Sequence, residues 1–215
     1  MGLFDRLRRS KIEGMIGYLG LEDFWMSLSS KQSEAITRYA RSGLGAAANS
    51  SPIEGKISHA SARPISYLSG YIGWGWAVAD HDFSLADKII DYCDIIYEQA
   101  SPVDKHFYLM NAADCYYKQR DSREDALTLA EKYHLMDVKL FPQYKRSLAK
   151  DMGGVLPRIP SFQQLAIIYD KAGRYQEAID ICKLALKYDL TDNTKSGYTG
   201  RLEKLQKKLV SSMKA

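Results

Sequence analysis

Four histidines are spread along the chain, His59, His81, His106 and His134, and His81 is followed directly by an acid, Asp82. A His-Asp pair with another histidine upstream is a set that could hold a divalent metal, and such a metal lowers the pKa of bound water until it can attack a phosphate ester. The surrounding stretch, "VADHDFSLAD", reads instead as a turn between two helices, with Ser84 and Asp87 at a capping spacing. The chain carries no GxxxxGKS phosphate loop, no GxSxG elbow and no HExxH pair. Its three cysteines, Cys93, Cys115 and Cys182, have no CxxC spacing and an odd total, so neither a disulfide framework nor a thiolate zinc site is indicated. No catalytic, metal-ligating or cofactor-binding residue is assigned, and the chain reads as a non-enzyme.

Binding chemistry is better represented. The segment "ISYLSGYIGWGWAVA" carries Tyr71, Trp74 and Trp76 with interleaved glycines. No strand precedes those glycines, so they read as small residues for close helix packing and not as a nucleotide loop. Residues two apart on a helix point about 200° away from each other, so the three aromatics cannot share one face. At least one must look away from the core.

The elements that would position these side chains are helices. Long Val/Ile/Thr alternations and Asn-Gly or Asp-Gly hairpin turns do not occur. Helix starts recur: Ser29 with Gln32 has capping-box spacing and is followed by Ala35, Ile36, Tyr39 and Ala40 on one face. Ser51-Pro52 with Glu54, Ser101-Pro102 with Asp104, and Pro160-Ser161 with Gln164 are further predicted starts, since each offers a capping oxygen or a pre-set φ. The connectors "GLGAAANSSPIEG" and "DMGGVLPRIPS" divide the chain, and the first predicts a boundary between an N-terminal helical segment, residues 1–50, and a body of residues 51–215.

Within the body, "LAIIYDKAGRYQEAIDICKLALK" reads as two short helices broken by Gly173. With Phe162, the first helix presents Leu165, Ala166 and Tyr169, and the second presents Tyr175, Ala178, Ile181, Cys182 and Ala185. Small residues at Ala166 and Ala178 let two helices approach closely. This pattern resembles the tetratricopeptide repeat. Weaker copies occur upstream, at Phe83, Ala86 and Cys93, and at Leu109, Ala112, Ala113 and Tyr116 followed by Ala126 and Tyr133. Arg123 departs from the pattern where an aromatic belongs, and a segment from about Met136 to Gly154 reads as an insertion. One hairpin cannot bury its own apolar face, so stacking is expected.

The predicted fold is therefore all-α: antiparallel hairpins near 64–99, 102–134 and 161–188, stacked as a short right-handed superhelix. Leu202, Leu205 and Leu209 face inward on a capping helix over 198–212. The tail "DNTKSGYTGRLEKLQKKL" also resembles that of uncharacterised bacterial proteins with such a hairpin. The repeat resemblance implies a concave face lined by the first helix of each pair, here Tyr71 and Trp74, then Asn111, Asp114, Tyr117 and Lys118, then Gln163, Ile167 and Lys171. Side chains of these types suit capture of a protein segment or peptide.

Charge supplies the alternatives. The net charge is +4, with basic ends, Arg6, Arg8, Arg9 and Lys11 against Asp5 and six cations against Glu203 after residue 194, around an acidic middle. That distribution could attract nucleic acid. Leu3, Phe4 and Leu7 share a helical face in the manner of a short peripheral anchor, while Arg6 stands where a myristoylation motif needs Ser or Thr. No apolar run reaches the ~20 residues that span a bilayer, and unpaired cysteines fit a reducing cytoplasm. His59, His81 and Asp82 superficially resemble the HD-type metal phosphohydrolases, but the apolar context of that motif is missing.

Overall fold

The computed structural model describes residues 12–42, 51–73 and 82–214, and all regular secondary structure among them is helical. Two compact units follow one another, residues 1–100 and 101–215.

The first unit contains α1 (Gly14–Tyr18), α2 (Glu22–Ser27), α3 (Ser30–Ser42), α4 (Pro64–Gly73), α5 (Phe83–Ile96) and a 3-10 turn at Tyr97–Gln99. The capping box forms as predicted: the Ser29 N–H donates to Gln32 Oε1 (3.0 Å) and the Gln32 N–H to Ser29 Oγ (3.3 Å). The start predicted at Ser51-Pro52 does not form. Residues 52–55 instead serve α1, where the N–H groups of Glu13, Gly14 and Ile16 donate to the carbonyls of Ile53, Gly55 and Pro52, each over 2.9 Å. Gly14 holds φ +58°, and a Cβ there would lie 2.6 Å from the Pro52 carbonyl oxygen, so the strap requires glycine. Ile16, Phe24, Ile36, Leu68, Leu85, Ile89 and Cys93 form the buried interior. Phe24 meets Tyr92 with ring centroids 5.4 Å apart, and Lys88 Nζ donates to the Ser27 carbonyl, tying α2 to α5.

The second unit contains α6 (Pro102–Lys118), α7 (Ala126–Asp151), α8 (Pro160–Lys171), α9 (Tyr175–Lys187) and α10 (Gly197–Ser212). Helices adjacent in sequence pack on one another throughout: α6 on α7, α7 on α8, α8 on α9, α9 on α10. Ser101 caps α6 as expected, its Oγ accepting from the Asp104 N–H and donating to the Asp104 carboxylate (2.6 Å). Gly173 takes φ +72° and turns α8 into α9. Phe162, Leu165, Ala166, Tyr169, Ala178, Ile181, Cys182 and Ala185 are buried, the apolar face expected for that pair, and Tyr175 is half-buried. On α10, Leu205 is buried while Leu202 and Leu209 are half-buried, and Tyr198 adds a fully buried ring.

The segment expected to be an insertion is helix. α7 runs unbroken through Pro142 to Asp151, and its added turns bury Leu140, Phe141, Tyr144 and Leu148. Phe141 packs against Phe162 at the start of α8 (5.4 Å) and against Tyr188 just after α9 (4.9 Å). The extra length of α7 thus carries the apolar side chains that receive the next helix pair. Gly153 and Gly154, both at positive φ, end it, with the Gly154 N–H returning to the Ala149 carbonyl.

Candidate functional site

Asp82, half of the His-Asp pair, is the N-cap of α5: its carboxylate accepts from the Leu85 N–H (3.2 Å) and from Ser84 Oγ (2.7 Å). The cap assigned to Ser84 therefore belongs to Asp82. His59 is exposed in the loop before α4, and His81 lies outside the described residues. No group of three or more His, Cys, Asp or Glu side chains among the described residues is placed to hold a metal ion.

A buried polar constellation among the described residues lies elsewhere, inside the second unit. His106 on α6, His134 and Asp137 on α7 and Ser161 on α8 are all within 2% of full burial. His106 Nδ1 lies 2.7 Å from Asp137 Oδ1, Ser161 Oγ donates to Asp137 Oδ2 over 2.6 Å, and His134 Nδ1 lies 3.1 Å from Ser161 Oγ. Tyr144 stacks on the His106 ring, centroids 4.2 Å apart. The helical spacing from His134 to Asp137 puts both on one face of α7. One carboxylate thereby joins three helices.

Serine, histidine and aspartate suggest acyl transfer, but the connectivity is different from a nucleophile's. In a hydrolytic triad the serine gives its proton to histidine, and the carboxylate orients that histidine from behind. Here the serine proton goes to the carboxylate, so Ser161 Oγ accepts from His134 Nδ1–H. That fixes the His134 tautomer and leaves Nε2 as a bare acceptor, which has no hydrogen-bond partner. Burial pushes the His134 pKa down to about 4, against the opposing pull of Asp137 and Asp114. Burial likewise raises the Tyr144 hydroxyl, aided by the Asp137 charge. That hydroxyl stands near Asp137 without meeting hydrogen-bond geometry. The group is a buried polar joint.

A second polar joint closes the same helix pairs nearer the surface. Arg174, between α8 and α9, gives Nη1 and Nη2 to the Glu131 carboxylate of α7 (2.7 and 2.9 Å) and also binds Glu177 through Nε (2.6 Å). Its guanidinium lies over the Tyr169 ring at 4.3 Å, and Tyr169 Oη donates to Glu131. Near α10, Arg201 Nη2 meets the buried Asp192 at 3.0 Å. Burial pushes the Asp192 carboxyl up, but bonds from Thr194 and Arg201 outweigh it and hold it below the ordinary value.

The residues assigned to a binding face divide into two sets. Tyr71 is a core residue, 6% exposed, its hydroxyl bonded to that of Tyr67 (2.7 Å), which corrects its assignment to a surface. Trp74, expected beside it, lies outside the described residues. In the second unit Asn111 and Tyr117 are half-buried and Asp114 and Lys118 exposed on α6, the last two paired at 2.8 Å. Arg120 lies over the Tyr117 ring at 4.7 Å. On α8, Gln163 and Ile167 are half-buried and Lys171 is exposed. These seven are outside the apolar interior, on the first helices of consecutive pairs.

Sequence reading passed over His106, His134 and Ser161 as a group. The His134–Asp137 spacing was a usable signal, but Ser161 reads as a cap from the sequence. In the structure the N-cap of α8 is Ile159, which has no side-chain capping bond, and Ser161 turns inward to α7.

The described chain is thus an all-helical protein whose second unit is built of helix pairs pinned by buried polar contacts. No protein-family model matches it, and no solved structure matches it. It is 30% identical over 115 residues to an uncharacterised protein of Aquifex aeolicus (strain VF5), an alignment covering 54% of this chain and 53% of that protein. The chain therefore spans about half the length of the curated relative it matches. No helix among the described residues is long and apolar enough to cross a membrane.

Proposed function

We propose that the second unit is a tetratricopeptide-like module that binds a protein segment or peptide along the outward positions of α6 and α8, acting in the cytoplasm as an adaptor or regulator without catalysis. The observation that carries this reading is the pattern on the first helices of the two pairs. Aromatic, amide and aliphatic side chains at Asn111, Tyr117, Gln163 and Ile167 remain half-exposed while the opposite faces are buried. Half-exposed Tyr and Ile offer apolar area to a partner at low ordering cost, and the amides can pair with an extended backbone. The buried Ser, His and Asp groups support the non-catalytic side of the proposal, since the Ser161 proton is given to Asp137 and not to a histidine, and all four side chains are buried.

The test is a pair of substitutions, Tyr117→Ala with Ile167→Ala, assayed by quantitative co-purification beside the unaltered protein. The reading expects circular dichroism and melting to be nearly unchanged and one or more partners to fall at least tenfold. Equal recovery of every partner by both proteins would remove the assignment.

A second reading draws on α10, where Lys204 and Lys207 are exposed, while Lys208 pairs with Asp170 (2.6 Å). Under it the basic end contacts nucleic acid, with affinity falling steeply as salt rises. Absence of binding to DNA and RNA at low salt would dispose of it.

A further inference from the structure

We propose that the contact of His134 with Ser161 and Asp137 is an acid-sensitive latch, which holds the first turn of α8 against α7 and opens when a proton reaches His134. The inference is independent of the peptide-binding reading and rests on hydrogen-bond accounting. Ser161 has one proton and gives it to Asp137 across 2.6 Å. Its oxygen can then only accept from His134, so Nδ1 carries the imidazole proton and Nε2 is bare. Nε2 is buried and has no partner. A neutral nitrogen tolerates that position as an unused acceptor. Protonated, it becomes a charged donor facing no acceptor, which a buried site disfavours strongly.

The groups around His134 set the direction. Asp137 and Tyr144 come from α7 itself, Asp114 and His106 from α6, and α8 contributes Ser161, which carries no charge. Asp114 is in turn neutralised in part by Lys118 at 2.8 Å. The two carboxylates favour a protonated imidazole, burial opposes it, and burial prevails. The cost disappears once water reaches Nε2, which requires the α7–α8 contact to part. The first turn of α8 is the part able to give way, because it starts at Pro160 with no side-chain cap and Ser161 supplies that turn's polar tie to α7, whereas Tyr169 ties the far end of α8 to Glu131.

With the closed-state value near 4 and the ordinary value of 6.5 when open, linkage raises the opening constant about thirtyfold between pH 7.5 and pH 5. The experiment uses the whole chain. Long-range proton–nitrogen NMR follows the His134 ring while hydrogen exchange, corrected for its intrinsic pH dependence, follows the amides of residues 162–168. The latch predicts a neutral Nδ1-protonated ring at pH 7 with an apparent pKa well below 6, and loss of α8 protection in step with acidification. His134→Phe should remove the part of that pH dependence that lies between the ordinary value of 6.5 and about 4. An imidazole titrating near 6.5, or α8 protection with the same pH dependence in both proteins, would overturn the proposal. The NMR arm on the unaltered protein decides even if the variant does not fold.

Discussion

The Ser161 hydroxyl and the Asp137 carboxylate, on helices α8 and α7, are joined by a 2.6 Å hydrogen bond at a point where neither side chain is exposed. The same carboxylate holds His106 of α6 through its other oxygen at 2.7 Å. Two helix pairs are therefore registered against each other by one acid. An apolar interface alone tolerates sliding, whereas paired buried polar groups penalise every alternative arrangement in which they lose their partners.

Removing the two ends of this bond should not cost the same. Ser161→Ala leaves one carboxylate oxygen and one imidazole N–H unsatisfied, for a loss of about 1–3 kcal/mol. Asp137→Ala strips both His106 and Ser161 of their acceptor, and breaking such a buried set costs about 3–5 kcal/mol. Urea midpoints of the two variants check the order. A loss for Asp137→Ala no greater than for Ser161→Ala would mean that the carboxylate is not the centre of the joint.

Global stability should depend on pH in a window set by His134. Its folded pKa is depressed to about 4 from 6.5, so the unfolded chain binds the extra proton first and stability falls as pH drops from about 6.5 towards 4. Above 6.5 the contribution is fully present. The shift corresponds to roughly 3 kcal/mol across the window, read from denaturant titrations at pH 7.5, 5.5 and 4.5. In His134→Phe that part of the slope should vanish, while any part arising from carboxylates persists.

Arg174 makes a different kind of contact, with its side chain 39% exposed and two carboxylates in reach. Arg174→Lys keeps the charge but loses the two-pronged contact with Glu131 and the stacking on Tyr169. The expected loss is about 1 kcal/mol at low salt, shrinking as salt screens the pair. Thermal melting at low and high ionic strength separates this from the Asp137 joint, whose burial should make it indifferent to salt.

How far the sequence could be read depended on the range of the interaction concerned. The Ser29–Gln32 box, the Ser101 cap and the face carrying Leu165, Ala166, Ala178 and Cys182 are set within a few residues, and each stands where its spacing puts it. Pro52 and Ser161 illustrate what local spacing conceals. Pro52 has the form of a helix start, yet its carbonyl is taken by Ile16. Ser161 has the form of a cap, yet its hydroxyl finds a stronger acceptor 24 positions earlier in the chain. The segment from about Met136 to Gly154 has the form of an insertion because it falls outside the repeat spacing, yet it continues α7 through Pro142. Buried contacts of Phe141 and Tyr144 with neighbouring elements accompany the helix through the proline. Tyr71 is buried, with its hydroxyl donating to that of Tyr67 one helical turn away, a contact that an aromatic pattern alone does not specify.

Photo-crosslinking from single positions tests most directly whether α6 and α8 form a binding face. A photoreactive phenylalanine analogue would replace Tyr117, Ile167 or, on the exposed side of α9, Lys183, in cells that make the protein. A face running along α6 and α8 yields the same partner adduct from positions 117 and 167 and none from 183. Adducts missing from 117 and 167, or formed equally from 183, would contradict it.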